Sequence, residues 1–211
     1  MKRVAIIGAG NLAQQIVHLA ISDHQFIPVG FFDDFEGKGE VKFDLPILGG
    51  TDEIVDLFNL GKFDEIICAI GYNNKDFRME IVHQLVGIIP FATLIHSTCI
   101  IDPSAKIGQG SVLYPGCVVD MDAVISDNVL MYSACLLSHN SIIGSNSILS
   151  PGVKIAGFSK IGESVHLGIG TIVSDSITIV DKTITGAGTV VVKSITEAGT
   201  YVGIPSKLIQ R

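Results

Sequence analysis

Apolar positions in the second half of the chain recur every six residues. From Ile107 to Val191, fourteen of the fifteen positions at this spacing are aliphatic or methionine, and Thr185 is the exception. The position two residues before each is small or β-branched over the first nine repeats. Three hexapeptides form one triangular coil of 18 residues, and strands of successive coils stack in parallel about 4.8 Å apart. The spacing therefore predicts a parallel β-helix of about five coils over residues 96–211.

The first half of the chain alternates short apolar runs with segments of helical spacing. The runs predict strands, and the spacing of residues such as Leu12, Ile16 and Leu19 predicts helices. The predicted elements in chain order are strand Val4–Ile7, helix Asn11–Ser22, strand Phe26–Phe32, helix Asp52–Asn59 with Thr51 as its cap, strand Glu65–Ile70, helix Lys75–Val86 and strand Phe91–Ile95. Because strands alternate with helices, residues 1–95 are expected to form a Rossmann-like α/β half domain with a parallel sheet.

Composition and charge narrow the choice of partners. The 211 residues are 47% hydrophobic and 17% charged, which excludes a disordered chain. Twenty-one acidic side chains against 14 basic ones give a net charge of −7, and no Lys/Arg run is present, so we expect neither nucleic acid nor a membrane as partner. The basic start leads into a glycine turn rather than a signal peptide, and a cytoplasmic location is expected.

The cysteines are predicted to be structural. No C-x-x-C pair occurs, which favours free thiols in a reducing compartment. Cys99, Cys117 and Cys135 are each 18 residues apart, so they fall in one inward column of the predicted coil. A linear column does not surround a metal ion, and we expect small apolar filler rather than a metal site.

A glycine turn follows the first predicted strand and opens the first helix. Residues 8–13 read G-x-G-x-x-A, and amides at a helix N-terminus favour phosphate. Acidic residues end the second strand, where a carboxylate binds a ribose hydroxyl in such folds, and a third loop ends the neighbouring strand. The candidate nucleotide contacts are Gly8, Gly10, Asn11, Leu12, Asp33, Asp34, Gly71 and Asn73.

Three interpretations of this turn remain open on the residues alone: a dinucleotide cofactor in a redox enzyme, a nucleotide-sugar site, or a tight turn without a ligand. The domain is about half of a full dinucleotide fold, and no dehydrogenase-type segment follows it. A half domain of this kind is large enough for a nucleoside diphosphate.

The combined pattern resembles one family. A glycine turn, the F-x-D-D strand end at Phe31–Asp34, the A-I-G-x-N loop at Ala69–Asn73 and the hexapeptide repeats together resemble the sugar O/N-acyltransferases. That family includes nucleotide-4-aminosugar N-acetyltransferases and sialic acid O-acetyltransferases, and the resemblance runs from Val4 to about Lys207. It implies that the β-helix is left-handed.

One histidine is the candidate catalytic base. His139 follows the inward Leu137 by two residues, so it lies at a coil corner with Gly157 one coil above and Met121 one coil below. Imidazole titrates near neutral pH and suits a base, and the family's H-[ED]-x-x-I-G segment puts its base at His139. The acid that often follows is Asn140 here. Either Asp122, 18 residues earlier, supplies the carboxylate, or the acceptor amine needs none.

The resemblance also implies the reaction and its partners. The acetyl group of the cosubstrate acetyl-CoA passes to the amino group of a UDP-, dTDP- or GDP-linked 4-amino-4,6-dideoxysugar, without metal or permanently bound cofactor, in a homotrimer with CoA between adjacent helices. The alternatives are sialic acid-type O-acetylation and a non-catalytic nucleotide-sugar-binding module. The segments that look like acetyl-CoA contacts, or are plain coil corners and a cap, contain Gly157, Gly186, Ala187, Ile204, Pro205 and Lys207.

Overall fold

The computed structural model describes residues 1–209, so the last two residues of the predicted C-terminal domain, Gln210 and Arg211, lie outside the described part. The chain divides into two compact units, Met1–Leu94 and the residues from Ile95 onward. No helix within residues 1–209 is long and apolar enough to cross a membrane.

The first unit is an α/β domain around one five-stranded sheet. Its elements are β1 (Arg3–Ile7), α1 (Asn11–Ser22), β2 (Ile27–Phe32), β3 (Val41–Lys42), β4 (Leu45–Gly49), α2 (Ile54–Asn59), β5 (Glu65–Cys68) and α3 (Lys75–Leu85). The sheet order is β3-β4-β2-β1-β5. Strands β1, β2 and β5 pair in parallel, as predicted. Strand β4 extends the parallel sheet beyond β2, and β3 joins β4 as an antiparallel edge.

Helix α1 shows why this half folds as predicted. Its apolar residues at helical spacing, among them Ile16, Val17 and Leu19, are buried on one face. Three details differ from the prediction. The strand predicted over Phe91–Ile95 is reduced to Leu94–Ile95, which pairs within the β-helix, while Phe91 forms only an isolated bridge with Ile66 of β5. The hairpin β3–β4 was not expected, and Thr51 does not cap a helix: it begins a 3-10 turn, and its hydroxyl bonds the Asp34 carboxylate at 3.0 Å. Thr51 lies inside that turn, and its own amide donates to the Asp34 carboxylate, so Asp34 rather than the Thr51 hydroxyl accepts from the first amides.

The second unit is a left-handed parallel β-helix, as predicted. Its strands are two or three residues long: β6 (Leu94–Ile95), β7 (Ile100–Ile101), β8 (Lys106–Ile107), β9 (Val112–Leu113), β10 (Val118–Val119), β11 (Val124–Ile125), β12 (Leu130–Met131), β13 (Leu136–Leu137), β14 (Ile142–Ile143), β15 (Ile148–Leu149), β16 (Lys154–Ile155), β17 (Lys160–Ile161), β18 (His166–Leu167), β19 (Ile172–Val173), β20 (Thr178–Ile179), β21 (Ile184–Thr185), β22 (Val190–Val191), β23 (Thr200–Val202) and β24 (Lys207–Ile209).

Every third strand of the coil belongs to the same sheet, which produces three faces. Face 1 is β22-β19-β16-β13-β10-β7, face 2 is β20-β17-β14-β11-β8, and face 3 is β24-β23-β21-β18-β15-β12-β9-β6. Two of the corners between faces contain predicted acetyl-CoA contacts. The histidine corner joins face 1 to face 2 and contains residues 138–141 and 156–159. The glycine corner joins face 3 to face 1 and contains residues 150–153, 168–171 and 186–189.

The interior confirms the predicted period. Leu137 pairs in register with Ile155 one coil above, and both are fully buried. Cys117 and Cys135 lie in the same apolar core, and Cys99 packs against it. Hydrogen bonding with the Cys135 thiol, together with burial, raises the pKa of Cys117 to about 12. The cysteine column is therefore packed inward, as the 18-residue spacing predicted.

Candidate functional site

His139 lies exposed at the histidine corner, between the two neighbours that its spacing predicted. The amide of Asn140 donates to the carbonyl of Met121 at 2.9 Å, and the amide of Phe158 donates to the carbonyl of His139 at 3.1 Å. A Cβ atom at Gly157 would lie 2.7 Å from Cε1 of the His139 ring, closer than real contacts allow. A side chain at position 157 would displace the imidazole from this position, so the predicted stacking of Gly157 on His139 is confirmed.

Asn140 holds one side of the imidazole. Its Oδ1 lies 3.2 Å from Nδ1 of His139. An amide oxygen only accepts hydrogen bonds, so Nδ1 carries the hydrogen when this bond forms. In the neutral ring Nε2 is then unprotonated and is the atom available to accept a proton.

Asp122 does not enter this arrangement. Within residues 1–209 its carboxylate makes no hydrogen bond to His139 or to Asn140, and its amide is held by the Ser104 hydroxyl at 2.8 Å. The contacts therefore do not support Asp122 as the carboxylate that orients the base. The role assigned to it from the sequence stays a prediction.

Two further groups face the imidazole. The amide of Gly157 makes no hydrogen bond within residues 1–209, although the glycine is buried, so its N–H is available to an oxygen atom of a ligand. The ring of Phe158 meets the imidazole edge to face, with 5.1 Å between ring centroids. Phe158 was not among the predicted site residues. Asp122, Asn140 and Phe158 are each 18 residues apart, so the sequence already places Phe158 at the same corner position one coil above Asn140.

The glycine turn of the first unit has the geometry that phosphate binding needs. Gly8 has φ +94°, and a Cβ there would lie 3.3 Å from the carbonyl oxygen of Ala69. A Cβ at Gly10 would meet nothing within 4 Å, and Gly10 is the N-cap of α1 without a side-chain cap. The amides of Asn11 and Leu12 are thus first-turn donors without an intrahelical partner. No acidic residue lies in that turn to repel an anion.

Asp33 and Asp34 lie beside this turn, but their carboxylates bond the protein. Asp33 accepts from the amides of Ala9 at 2.8 Å and Phe35 at 2.9 Å, one on each oxygen. Asp34 accepts from the amide of Thr51 at 2.7 Å. The two acids therefore hold the loop after β2 and tie it to the glycine turn. These bonds position the loop, and because each carboxylate has further lone pairs, the ribose contact expected from the sequence stays a prediction.

The end of β5 forms the other wall of the glycine turn. Gly71 begins a 3-10 turn over Tyr72–Asn74, where Asn73 is exposed. Below it, Nη1 of the buried Arg78 donates to the carbonyls of Cys68 and Ile70, both at 2.9 Å. Arg78 was missed by the sequence reasoning. The sequence feature that could have identified it is its place as a charged residue on the apolar face of α3, together with Ile81, Val82 and Leu85.

The predicted acetyl-CoA contacts divide between two corners. Gly157 belongs to the histidine corner, whereas Gly186 and the exposed Ala187 belong to the glycine corner. The loop from Gly203 to Ser206 lies next to the latter, because both of its ends bond Val190, the first face 1 residue after that corner, at 3.1 and 2.8 Å. That loop carries Ile204, which is 77% exposed, and Pro205. Lys207 is exposed on β24. Face 1 separates the two groups within one chain.

Family models match both halves of the chain. Residues 89–203 match the model described as GMPPB C-terminal domain. Residues 3–85 match the model described as PglD N-terminal domain.

Known proteins resemble the chain along much or all of its length. A UDP-N-acetylbacillosamine N-acetyltransferase of Bacillus subtilis (strain 168) is 32% identical over 118 residues, which cover 54% of this chain and 51% of that protein. The acetyltransferase domain of PglB from Neisseria gonorrhoeae FA1090, solved with acetyl coenzyme A, is 29% identical with a TM-score of 0.87 and 99% coverage of both chains. PerB from Caulobacter crescentus, solved with CoA and GDP-perosamine, is 23% identical with a TM-score of 0.90, covering 100% of this chain and 98% of that one. The chain thus aligns with about half of the curated relative.

Proposed function

The chain belongs to the GMPPB C-terminal domain family, and from that premise we propose that it is an acetyl-CoA-dependent N-acetyltransferase. Its acceptor is the amino group of a nucleotide-linked 4-amino-4,6-dideoxysugar. The observation that carries the proposal is His139, with Nδ1 against Asn140 and its ring against a glycine that has an unused N–H. The N-acetyltransferase from Bacillus subtilis and the acetyl-CoA complex of the Neisseria domain support it.

His139 is the general base of the proposed reaction. The acceptor nitrogen attacks the carbonyl carbon of the thioester, so a C–N bond forms and the nitrogen loses a proton to Nε2 of His139. The carbonyl oxygen gains negative charge, which the N–H of Gly157 stabilises. When the C–S bond breaks, the sulfur of CoA leaves and takes the proton back from the imidazolium. No covalent intermediate with the protein is needed.

The first unit binds the nucleotide in this proposal. The amides of Asn11 and Leu12 receive the phosphates, and the open space over Gly10 admits them. Asp33 and Asp34 fix the loop after β2, while Gly71 and Asn73 border the same turn. The acetyl-CoA contacts are Gly157, Gly186, Ala187, Ile204, Pro205 and Lys207. The ammonium of Lys207 is suited to a CoA phosphate.

The protein works as a homotrimer in this proposal. Face 1 carries outward apolar side chains that water touches, with Ile100 at 68% and Ile172 at 44% exposure, and Leu136 half-buried between them. Flat faces of a triangular prism associate head to tail and close with threefold symmetry. In such a trimer the histidine corner of one chain lies beside the glycine corner of its neighbour, so the two groups of acetyl-CoA contacts form one site. The cytoplasmic location remains part of this proposal.

A substrate panel tests the proposed function. The full chain is incubated with acetyl-CoA and with UDP-, dTDP- and GDP-linked 4-amino-4,6-dideoxysugars, and thiol release is followed together with the mass of the sugar product. We expect acetylation of one of these sugars and none of a 4-hydroxyl analogue. Acetylation of sialic acid instead, or no transfer to any acceptor, would contradict the proposal.

A further inference from the structure

Phe158 occupies a backbone conformation that does not suit it. Its φ is +58°, in the left-handed region that bulky side chains avoid. The residues at the same corner position in neighbouring coils are Asp122, Asn140 and Ser176, with φ of +55°, +58° and +58°. All three are short and polar, and Asp and Asn in particular tolerate this region. Phe158 is thus the bulky member of a column of small polar residues.

Packing into the protein core does not account for this residue. Phe158 is 58% exposed, so burial of its ring repays little of the backbone cost. The other phenylalanine with positive φ among residues 1–209, Phe43, differs in this respect, because it is half-buried and packs on Phe31 with 6.1 Å between centroids. The ring that Phe158 contacts is His139, at 5.1 Å and an interplanar angle of 86°. A strained backbone conformation that is retained next to a candidate catalytic side chain indicates a functional role for the strained residue.

We infer that Phe158 is a positioning residue that fixes the plane of the His139 imidazole for proton transfer. Asn140 holds the ring at Nδ1, and the Phe158 ring meets it edge to face. The ring also lies against the backbone of Gly157, so closely that a Cβ there would lie 2.8 Å from Nε2. Together these contacts restrict rotation of the exposed ring, with Nδ1 toward Asn140 and Nε2 left to accept the proton in the proposed reaction.

This inference rests on the proposed function, and a substitution by asparagine separates it from a purely structural role. Asparagine suits the left-handed conformation, so Phe158→Asn is expected to unfold at the same temperature as the wild type or up to about 4 °C higher. The freed imidazole is nevertheless expected to lower kcat by about 10- to 100-fold, because misplacement of a reacting group is costly. KM for acetyl-CoA and for the nucleotide sugar is expected to be unchanged.

Two control variants complete the test. Phe158→Tyr keeps an aromatic ring and is expected to have the kcat of the wild type. Ser176→Asn places an asparagine at the same left-handed corner position one coil away, and kcat is expected to be unchanged. Wild-type kcat in Phe158→Asn overturns the inference. Failure of the wild type on the whole substrate panel overturns the proposed function instead. In that case NOEs between the His139 ring protons and the α-protons of Gly157 decide the inference: they are lost in Phe158→Asn and kept in Phe158→Tyr if it is right, and NOEs of wild-type intensity in Phe158→Asn overturn it.

Discussion

The residue after the proposed base is Asn140 rather than an acid, and this determines how the imidazole is stabilised. A carboxylate would both orient the ring and favour its charged form, whereas an amide oxygen orients it with a neutral hydrogen bond. The ring is held by contact geometry at Asn140 and Gly157 instead. In the proposed reaction, the position in which Asn140 and Gly157 hold the imidazole therefore matters more for proton acceptance than a neighbouring negative charge.

The contacts make separate predictions for Asn140 and Asp122. Asn140→Ala removes the bond to Nδ1, and the loss of about 1 kcal/mol lowers kcat about fivefold or more. Asp122→Asn is expected to leave kcat and its pH profile unchanged, since its carboxylate has no hydrogen bond to either residue. Steady-state kinetics of the two variants checks both. A shifted pH profile in Asp122→Asn would return that residue to the mechanism.

The loop after β2 acts as one element with the glycine turn. Replacing both Asp33 and Asp34 by alanine releases the amides of Ala9, Phe35 and Thr51 that they hold. Each bond to a charged acceptor contributes about 1.5–3 kcal/mol, so nucleotide binding is expected to weaken by about tenfold or more. Binding of acetyl-CoA is expected to stay intact.

Calorimetry with UDP, dTDP, GDP and acetyl-CoA on the full chain checks this prediction. The exposed Asp56 in α2 offers a control, because Asp56→Ala removes one negative charge away from the turn, where the double variant removes two beside it. A loss of acetyl-CoA binding in the double variant, with nucleotide binding unchanged, would mean that the two ligands are assigned to the wrong units.

The coil itself is tested at Ile155. Ile155→Asp buries a carboxylate that faces Leu137 in an apolar interior, at an effective cost of several kcal/mol. Glu163→Ala, at an exposed corner, is expected to be near neutral. Urea unfolding monitored by circular dichroism measures both. Wild-type stability in Ile155→Asp would contradict the inward direction of this column.

Periodic features were predictable from the sequence, and exceptions to periodicity were not. The six-residue spacing fixes which side chains enter the β-helix, so the pairing of Leu137 with Ile155 and of Gly157 with His139 follows from counting. Arg78 is a charged residue on an apolar helix face, and Phe158 is a bulky residue at a corner position that is otherwise short and polar. The spacing of residues does not show which groups such exceptions contact in the structure. The acids after β2 were placed correctly beside the turn. Their bonds to backbone amides depend on loop geometry, which spacing does not encode.

At the scale of the whole molecule, the proposed trimer makes a prediction about mixed assemblies. His139→Ala and Ala187→Glu each disable one of the two corners, and each is expected to be inactive by itself. If every site takes its corners from two chains, random mixing of both variants restores about a quarter of all sites, which is one site in three of each trimer that contains both variants. If every site lies within one chain, mixing restores none.

Co-expression of the two variants with different affinity tags, followed by two-step purification and an activity assay, distinguishes these cases. Light scattering on the same sample reports the number of chains in the assembly. A monomer that transfers acetyl groups would overturn the trimer while leaving the proposed chemistry intact.

The central claim is acetyl transfer with His139 as the base, and one comparison tests it most directly. Acetyl transfer by the wild type and by His139→Asn is measured at saturating acetyl-CoA and nucleotide 4-aminosugar, and binding of both ligands is measured on the same preparations. We predict that kcat falls by about 10²- to 10⁴-fold, the range for loss of a general base, while both dissociation constants remain near those of the wild type. Turnover near the wild-type rate in His139→Asn would contradict the account.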